Sequence, residues 1–310
     1  MPDKPATQEY PAIWLQGAGC SGCSVSVLNA VSPTIGQLIL DEAAPGKHVS
    51  LRFHPTVMAA TGTLAVEVLL GTEAGDEPFL LVLEGSVPTR ISKIAGCGPD
   101  GEEMDFTEHF VELARKAMAV VAIGDCAAFG GIPASGPNLA GCRSAREVMS
   151  AHGVTTPLIN LGGCPPHPDW FVQTVAAVLL YGLPEASQLD ADLRPKWFYG
   201  SLIHEHCPRR ADFDAGKFAK AFGEPGCMYE LGCKGPYTHA DCPRRKFNGG
   251  VNWCIDAGSP CHGCAEAEFP NLGPGLYRKI DVGSLPRIEK AADGSLQAVV
   301  PGPYGPSEGA

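Results

Sequence analysis

The amino-acid sequence predicts an α/β fold, a doubly wound parallel sheet, followed by a second part with little regular structure. Short β-rich apolar runs alternate with helix-like segments as far as residue 182. The runs lack the polar alternation of half-exposed strands, as expected for strands buried on both faces of a parallel sheet. After an acidic, proline-containing joint at 183–195 the pattern stops, and seven cysteines follow between positions 207 and 264.

The predicted elements follow one another in a regular order, each strand being followed by a helix. The strands are PAIWLQG at 11–17, VSLRFHP at 49–55, FLLVLEG at 79–85, MAVVAIG at 118–124 and PLINLG at 157–162; the helices are 23–31, 63–70, 105–117, 144–150 and 169–181. We therefore expect two domains, residues 1–182 and 183–310. The second has few periodic apolar segments, and bound metal could supply the folding free energy that a core would otherwise provide.

Composition and charge exclude two classes of partner. The chain has 310 residues, 45% of them hydrophobic, and 23 basic against 34 acidic side chains give a formal charge of −11. No run of Lys and Arg is long enough to follow a nucleic-acid backbone, so nucleic acid is not an expected partner. The apolar runs are much shorter than the roughly 20 residues that span a bilayer, and we expect no membrane span.

The N-terminal sequence MPDKPATQEY carries no visible export signal. A signal peptide would show a basic start and an apolar segment, and a twin-arginine signal would show its arginine pair. We therefore expect a cytoplasmic location as the sequence stands. The alternative is a periplasmic location after removal of a twin-arginine signal.

Thirteen cysteines in a chain of this length need a chemical explanation. Cys20 and Cys23 follow the first predicted strand, Cys126 follows the fourth and Cys164 follows the fifth. The carboxyl ends of strands in a doubly wound sheet lie at one edge, where ligands bind, so these four thiols can meet there. Soft thiolates suit either zinc or an iron-sulfur cluster.

Two further sets of potential ligands lie beyond residue 200. One is His204, Cys207, Cys227 and Cys233, and the other is Cys242, Cys254, Cys261 and Cys264. Three sets in one chain favour iron-sulfur clusters, because repeated metal centres without hydrolytic residues nearby suit electron conduction. A structural zinc or disulfide protein is the alternative. Cys97 and Cys142 lie outside the sets, and we interpret them as buried thiols that behave as small hydrophobic side chains.

Six motifs that occur in order between about residues 11 and 272 resemble those of the small subunit of nickel-iron hydrogenases. They are LQGAGCSGCSVSVLNA, GDCAAFGGIPA, GGCPPHPDW, IHEHCP, PGCMYELGCKGP and FNGGVNWCIDAGSPCHGC. The resemblance implies a flavodoxin-like N-terminal domain and a C-terminal domain that binds clusters. It also implies membership of an enzyme, a hydrogenase, whose H2-converting nickel-iron centre lies in a separate large subunit, with no catalytic residue in this chain.

The resemblance also implies a ligand set for each of three iron-sulfur clusters. The proximal set is Cys20, Cys23, Cys126 and Cys164; the distal set is His204, Cys207, Cys227 and Cys233; the middle set is Cys242, Cys254, Cys261 and Cys264. Many relatives have proline where this chain has Cys254, and they hold a 3Fe-4S centre there. A fourth thiolate implies a 4Fe-4S cubane, as in the selenium-containing branch, which CSGCSVS also resembles. We therefore expect three 4Fe-4S clusters.

The implied function is one-electron transfer between an obligate large subunit and an external carrier, such as a cytochrome, a ferredoxin or a quinone-linked subunit. An iron-sulfur subunit of a different redox complex is the alternative, and the motifs after residue 200 count against it. Family spacing selects His204 over His206 as the distal ligand. Lys234 either offsets cluster charge, attracts an acidic carrier or is solvated, and Glu84 is either a partner-facing or an internally hydrogen-bonded carboxylate.

Overall fold

The computed structural model describes residues 7–42, 46–94, 98, 102–271, 276–278, 287–290 and 296–299. Its strands are β1 (Gln8–Gln16), β2 (Lys47–Phe53), β3 (Leu80–Glu84), β4 (Val87–Pro88), β5 (Ala119–Ile123), β6 (Cys142–Arg143), β7 (Leu158–Leu161), β8 (Arg287–Lys290) and β9 (Leu296–Val299). Its helices are α1 (Gly22–Val27), α2 (Ile35–Ile39), α3 (Gly62–Ala74), α4 (Phe106–Lys116), α5 (Gly124–Phe129), α6 (Gly131–Ala134), α7 (Ala145–Ala151), α8 (Pro168–Tyr181), α9 (Lys196–Tyr199), α10 (Arg210–Asp214) and α11 (Cys242–Arg245).

Five of these strands form one parallel sheet in the order β2-β1-β3-β5-β7. Counted by themselves, the five strands are arranged 2-1-3-4-5, which is the flavodoxin-like order. All residues of β3, β5 and β7 are buried, because helices cover both faces of the sheet. The predicted doubly wound α/β class is therefore confirmed. Two antiparallel ribbons, β4-β6 and β8-β9, stand outside the sheet.

Alternate side chains of the strands enter two separate cores, as the pleat requires. In β1, Ala12 and Trp14 join a core with residues of α1, α2 and α8. Ile13 and Leu15 point the other way and join a core with residues of α3, α4 and α7. Burial on both faces explains why the strand sequences show no polar alternation.

The chain after α8 has short elements only, and its longest described helix, α10, has five residues. It packs against the sheet domain: Trp170 Nε1 donates to Asp241 Oδ1 at 2.8 Å, and Phe198, Tyr199 and Trp253 join the core beside α8. The irregular character expected for this part agrees with the structure, while the boundary after residue 182 stays a prediction. In the part of the chain that the structure describes, no helix is long and apolar enough to cross a membrane.

Candidate metal centres

The four residues of the proximal set come together at the carboxyl edge of the sheet. Cys20 lies between β1 and α1, Cys23 lies in α1, Cys126 lies in α5 directly after β5, and Cys164 follows β7. Burial is the largest cause of the raised pKa of the Cys23 thiol, and the nearby thiols of the other three residues raise this pKa further. Cys20 is exposed, whereas the other three thiols are partly buried.

Glycine allows the backbone to approach two of these thiols closely. Gly124 has a φ of +84°, and a Cβ at that position would lie 2.4 Å from the Sγ of Cys23. A Cβ at Gly22 would lie 3.1 Å from the Sγ of Cys20. Only glycine leaves the space beside the thiols open at these two positions, which fits a site for a group bound by several cysteines.

Glu84 holds the loop of the proximal set in place. Its carboxylate is 2% exposed and accepts hydrogen bonds from the backbone N–H groups of Cys23 and Ser24, both at 3.0 Å. Trp14 Nε1 and Gln16 Nε2 donate to the same carboxylate at 2.9 and 2.8 Å. The end of β3 therefore caps the first turn of α1, so Glu84 is an internally hydrogen-bonded carboxylate.

The distal set surrounds a small cavity of about 10 Å³. Its lining includes all four predicted ligands, namely His204, Cys207, Cys227 and Cys233. The Nε2 atom of His204 is buried and has no hydrogen-bond partner among the described residues. Leaving a buried nitrogen unpaired is unfavourable, and a metal ligand bond would satisfy it, so these residues fit an iron-sulfur cluster.

His204 and His206 differ in burial and in position relative to the cavity. His204 is partly buried, lines the cavity and packs edge-on against Phe213 with ring centroids 4.6 Å apart. His206 is exposed and does not line the cavity. Burial and the nearby Arg210 lower the pKa of His204, which favours the neutral imidazole that binds metal.

The four cysteines of the middle set also converge. The thiols of Cys264, Cys261 and Cys254 all raise the pKa of Cys242, although burial is the larger cause. Cys254 interacts with Cys264 as well, and its own side chain is exposed at the surface. The structure thus places the Cys254 thiol near enough to those of Cys242 and Cys264 to interact with them.

The three sets lie next to each other. The thiols of Cys164, in the proximal set, and Cys264, in the middle set, interact electrostatically. The N–H of Lys234, directly after Cys233 of the distal set, donates to the carbonyl of Cys261 in the middle set at 2.7 Å. The sets therefore form a continuous series with the middle set between the other two.

Burial makes the free thiols weak acids. It raises the pKa of Cys126 and Cys264 to about 12, and of Cys164 and Cys233 to about 11. The thiols are therefore protonated at neutral pH until a cation binds, and ligation releases their protons. No three His, Cys, Asp or Glu side chains within the described ranges approach closely enough to hold a single metal ion.

Two buried charged residues near the sets were not found by sequence reasoning. Asp125 is 1% exposed, accepts a hydrogen bond from Gly163 N at 2.8 Å, and has a pKa raised well above its ordinary value, mainly by burial. Arg194 pairs with Asp190 at 2.8 Å and donates to the Ala265 carbonyl, beside Cys264, at 2.6 Å. The only signals were an Asp beside Cys126 and a lone Arg in the acidic joint.

Cys142 and Cys97 were predicted to lie outside the three sets. Cys142 is in β6 and is 3% exposed, as expected for a thiol that behaves as a hydrophobic side chain. Cys97 lies outside the described residues.

Comparison with known proteins identifies two family models that match successive parts of the chain. A model described as NADH ubiquinone oxidoreductase, 20 Kd subunit, matches residues 20–178, and a model for the C-terminal region of the NiFe/NiFeSe hydrogenase small subunit matches residues 199–275. The periplasmic NiFeSe hydrogenase small subunit of Desulfomicrobium baculatum is 42% identical over 276 residues, which cover 85% of each chain. The chain belongs to the NiFe/NiFeSe hydrogenase small-subunit family.

Two further comparisons support this membership. The periplasmic NiFe hydrogenase small subunit 1 of Nitratidesulfovibrio vulgaris is 40% identical over 83% of this chain and 78% of its own length. The crystal structure of a reduced, active form of the Ni-Fe-Se hydrogenase from Desulfomicrobium baculatum matches with a TM-score of 0.80 and 41% identity, covering 88% of this chain and 100% of that chain. The resemblance predicted from the six motifs is confirmed, as is the fold.

The expected cytoplasmic location is wrong. Two hydrogenase small subunits that resemble this chain over most of its length have the word periplasmic in their names. The expectation rested on the absence of a visible export signal. Such a signal is a separate address segment, so the composition and fold of the hydrogenase small subunit do not decide its compartment.

Proposed function

We propose that this hydrogenase small subunit transfers electrons between the nickel-iron centre of a large subunit and an external redox partner through three 4Fe-4S clusters. The observation that carries the proposal is the continuous series of ligand sets. The thiols of Cys164 and Cys264 interact electrostatically, and the N–H of Lys234, next to Cys233, donates to the Cys261 carbonyl at 2.7 Å. Electrons that enter at the proximal set could therefore pass to the neighbouring middle set and then to the distal set, which includes His204.

The proposed ligands are those of the proximal, middle and distal sets, with four residues for each cluster. When bound, each cluster supplies one-electron storage. The chain contributes backbone N–H donors that stabilise the negative thiolates, such as Gly235 N, which lies 3.5 Å from the Sγ of Cys233. Donors of this kind, together with burial, tune the reduction potential of an iron-sulfur site.

The middle set is proposed to hold a 4Fe-4S rather than a 3Fe-4S cluster. Support comes from Cys254, whose thiol interacts with those of Cys242 and Cys264. EPR of the oxidised wild-type protein should show no 3Fe-4S signal, and Cys254→Pro should create one. About one 3Fe-4S spin per wild-type molecule would contradict a cubane in the middle set.

The large subunit is proposed to cover the exposed side of the proximal set. Cys20 is exposed there, and α1 and its C-terminal continuation present Val25, Leu28 and Val31 with exposures of 58, 56 and 51%. Ile132, whose neighbour Gly131 lies against the backbone of Cys126, is 53% exposed. An apolar surface around a metal site suits a large, permanent subunit interface.

The names of the relatives also support a periplasmic location for the complex.

The central test is anaerobic co-expression with the large subunit, followed by metal analysis. We expect about 12 iron atoms and as many sulfides in this chain, and bleaching of the thiolate-to-iron absorption when H2 is added. Stoichiometric zinc without sulfide would contradict the proposal and favour the structural alternative. Co-purification with subunits of another redox complex, without a nickel-bearing chain, would favour the second alternative.

A further inference from the structure

Lys234 is a fully buried lysine at the junction of the distal and middle sets. It is 0% exposed and follows Cys233 of the distal set directly in the sequence. Its backbone N–H donates to the carbonyl of Cys261, in the middle set, at 2.7 Å. The side chain therefore starts from a point that the two sets share.

The backbone around Lys234 leaves little distance between the sets. A Cβ placed on Gly235 would lie 3.4 Å from the Sγ of Cys233 and 3.9 Å from the Cβ of Cys261. The Lys234 carbonyl accepts a hydrogen bond from Thr238 Oγ1 at 2.8 Å, and Thr238 Oγ1 lies 3.8 Å from the Sγ of Cys261. The segment 233–238 therefore separates the distal set from the middle set.

The ammonium group of Lys234 interacts with one thiol of the distal set and one thiol of the middle set. It donates a hydrogen bond to the Arg278 carbonyl at 3.1 Å and interacts electrostatically with both Cys233 and Cys261. Burial lowers the pKa of Lys234, while these two thiols act in the opposite direction. Burying an ammonium group is costly, and clusters bound through thiolates at the two sets would supply the negative charge that offsets the cost.

We propose that Lys234 is a shared positive charge that raises the reduction potentials of the distal and middle clusters together. The inference rests on the proposed function, because it requires clusters at both sets. A nearby cation stabilises the reduced, more negative form of each cluster relative to the oxidised form. When one electron leaves the reduced middle cluster and reduces the distal cluster, the same charge acts on donor and acceptor. It therefore raises both potentials and leaves the difference between them nearly unchanged.

The test is an EPR-monitored redox titration of the assembled enzyme with Lys234→Met, which removes the charge and keeps an unbranched side chain. Lys234→Gln is a second neutral variant, which retains hydrogen-bond donors. Lys234→Arg keeps the charge. The control is Lys220→Met, which removes an exposed cation that pairs with Glu230 at 2.6 Å. Iron content is measured for every variant.

We expect both neutral variants to keep their iron and to shift two of the three one-electron waves to lower potential. At a fixed ambient potential, the ratio of reduced to oxidised cluster should fall about tenfold in each of these waves, which is ~59 mV for one electron. The third wave should stay in place, as should all three in Lys234→Arg and Lys220→Met. A single shifted wave, an equal shift in all three, or no shift would overturn the inference.

Two outcomes separate this inference from the proposed function. A wild-type enzyme without three one-electron waves would refute the proposed function, whereas three waves that ignore the loss of charge would refute only the role of Lys234. Loss of iron from the Met, Gln and Arg variants alike would show that Lys234 acts through packing, and would also overturn the inference.

Discussion

The sheet domain and the chain that follows α8 are held together by different means. In the sheet domain, residues of β3, β5 and β7 are buried on both faces, and the helices reach 14 residues in α8. Beyond α8 the described helices have five residues or fewer, yet this part places eight of the twelve proposed ligands. Hydrophobic burial therefore organises the first part, whereas we propose that the second depends on its ligand sets.

The two parts nevertheless share one core. Phe198, Tyr199 and Trp253 pack in the same cluster as Trp170 of α8. Arg194 ties the joint to the loop of the middle set through Ala265, and its guanidinium lies 5.1 Å from the ring centre of Tyr199. The second part is therefore anchored to the sheet on one side and to its proposed clusters on the other.

Removal of the clusters should have the largest effect on stability. The loss of stability should be confined to the part of the chain after α8. Ligation at a structural metal site contributes on the order of 10 kcal/mol to folding, and the second part has few other sources of stability. After anaerobic iron chelation, we expect hydrogen exchange to lose protection across residues 200–271 while β3 and β5 stay protected. Equal loss of protection in both parts would contradict the difference between them.

Replacement of the distal histidine should disturb one set while the other two remain. His204→Ala removes the imidazole that lines the cavity, and we expect iron to fall from about 12 toward about 8 atoms. His206→Ala is the matched control, because His206 is exposed and should leave the iron content unchanged. Equal iron loss in both variants would contradict the choice of His204.

A core substitution in β3 should destabilise the sheet domain by a smaller amount. Leu81 is 0% exposed, so Leu81→Ala should lower the free energy of unfolding by about 2–5 kcal/mol through lost burial and a cavity. Calorimetry of the iron-loaded protein measures the change. Leu139→Ala, at a side chain that is 78% exposed, should stay within about 0.5 kcal/mol. A small effect at Leu81 would contradict the dependence of the sheet domain on hydrophobic burial.

Sequence reasoning predicted the sheet well because its elements have a periodic signal. The run FLLVLEG predicted β3 at Leu80–Glu84, and the apolar pattern around residues 169–181 predicted α8 at Pro168–Tyr181. The second part gives no such signal, since its turns are determined by glycines and prolines in the loops between ligands. There, only the cysteine spacing was informative.

Contacts between distant residues were beyond the reach of sequence reasoning. Glu84 lies 61 residues from Cys23, and the sequence left open whether its carboxylate faced a partner or the interior. The sequence likewise left the role of Lys234 undecided, because its complete burial is visible only in the folded chain. Asp125 was missed because an acid next to a cysteine has no periodic signal, and only the structure shows that both face the sheet edge.

The N-cap of α4 provides the smallest expected effect and a check on the sheet domain alone. Asp105 accepts hydrogen bonds from Thr107 N at 2.9 Å and Glu108 N at 3.0 Å. Burial acts to raise the pKa of Asp105, but the hydrogen bonds from Ser92 and these two N–H groups outweigh it and lower the pKa. Asp105→Ala should lower stability by about 1 kcal/mol, and Asp105→Asn, which can still cap, by less.

The sign of the pH dependence follows from the lowered pKa. A carboxylate whose pKa is lower in the folded state stabilises the protein above its unfolded pKa of about 3.9, and this contribution is lost as the pH falls through the folded value. The difference in melting temperature between Asp105→Ala and wild type should therefore be the same at pH 7 and pH 5. A wild-type advantage that grows as the pH falls from 7 to 5 would mean that the folded state raises the pKa of Asp105, and would contradict its role as an ionised cap.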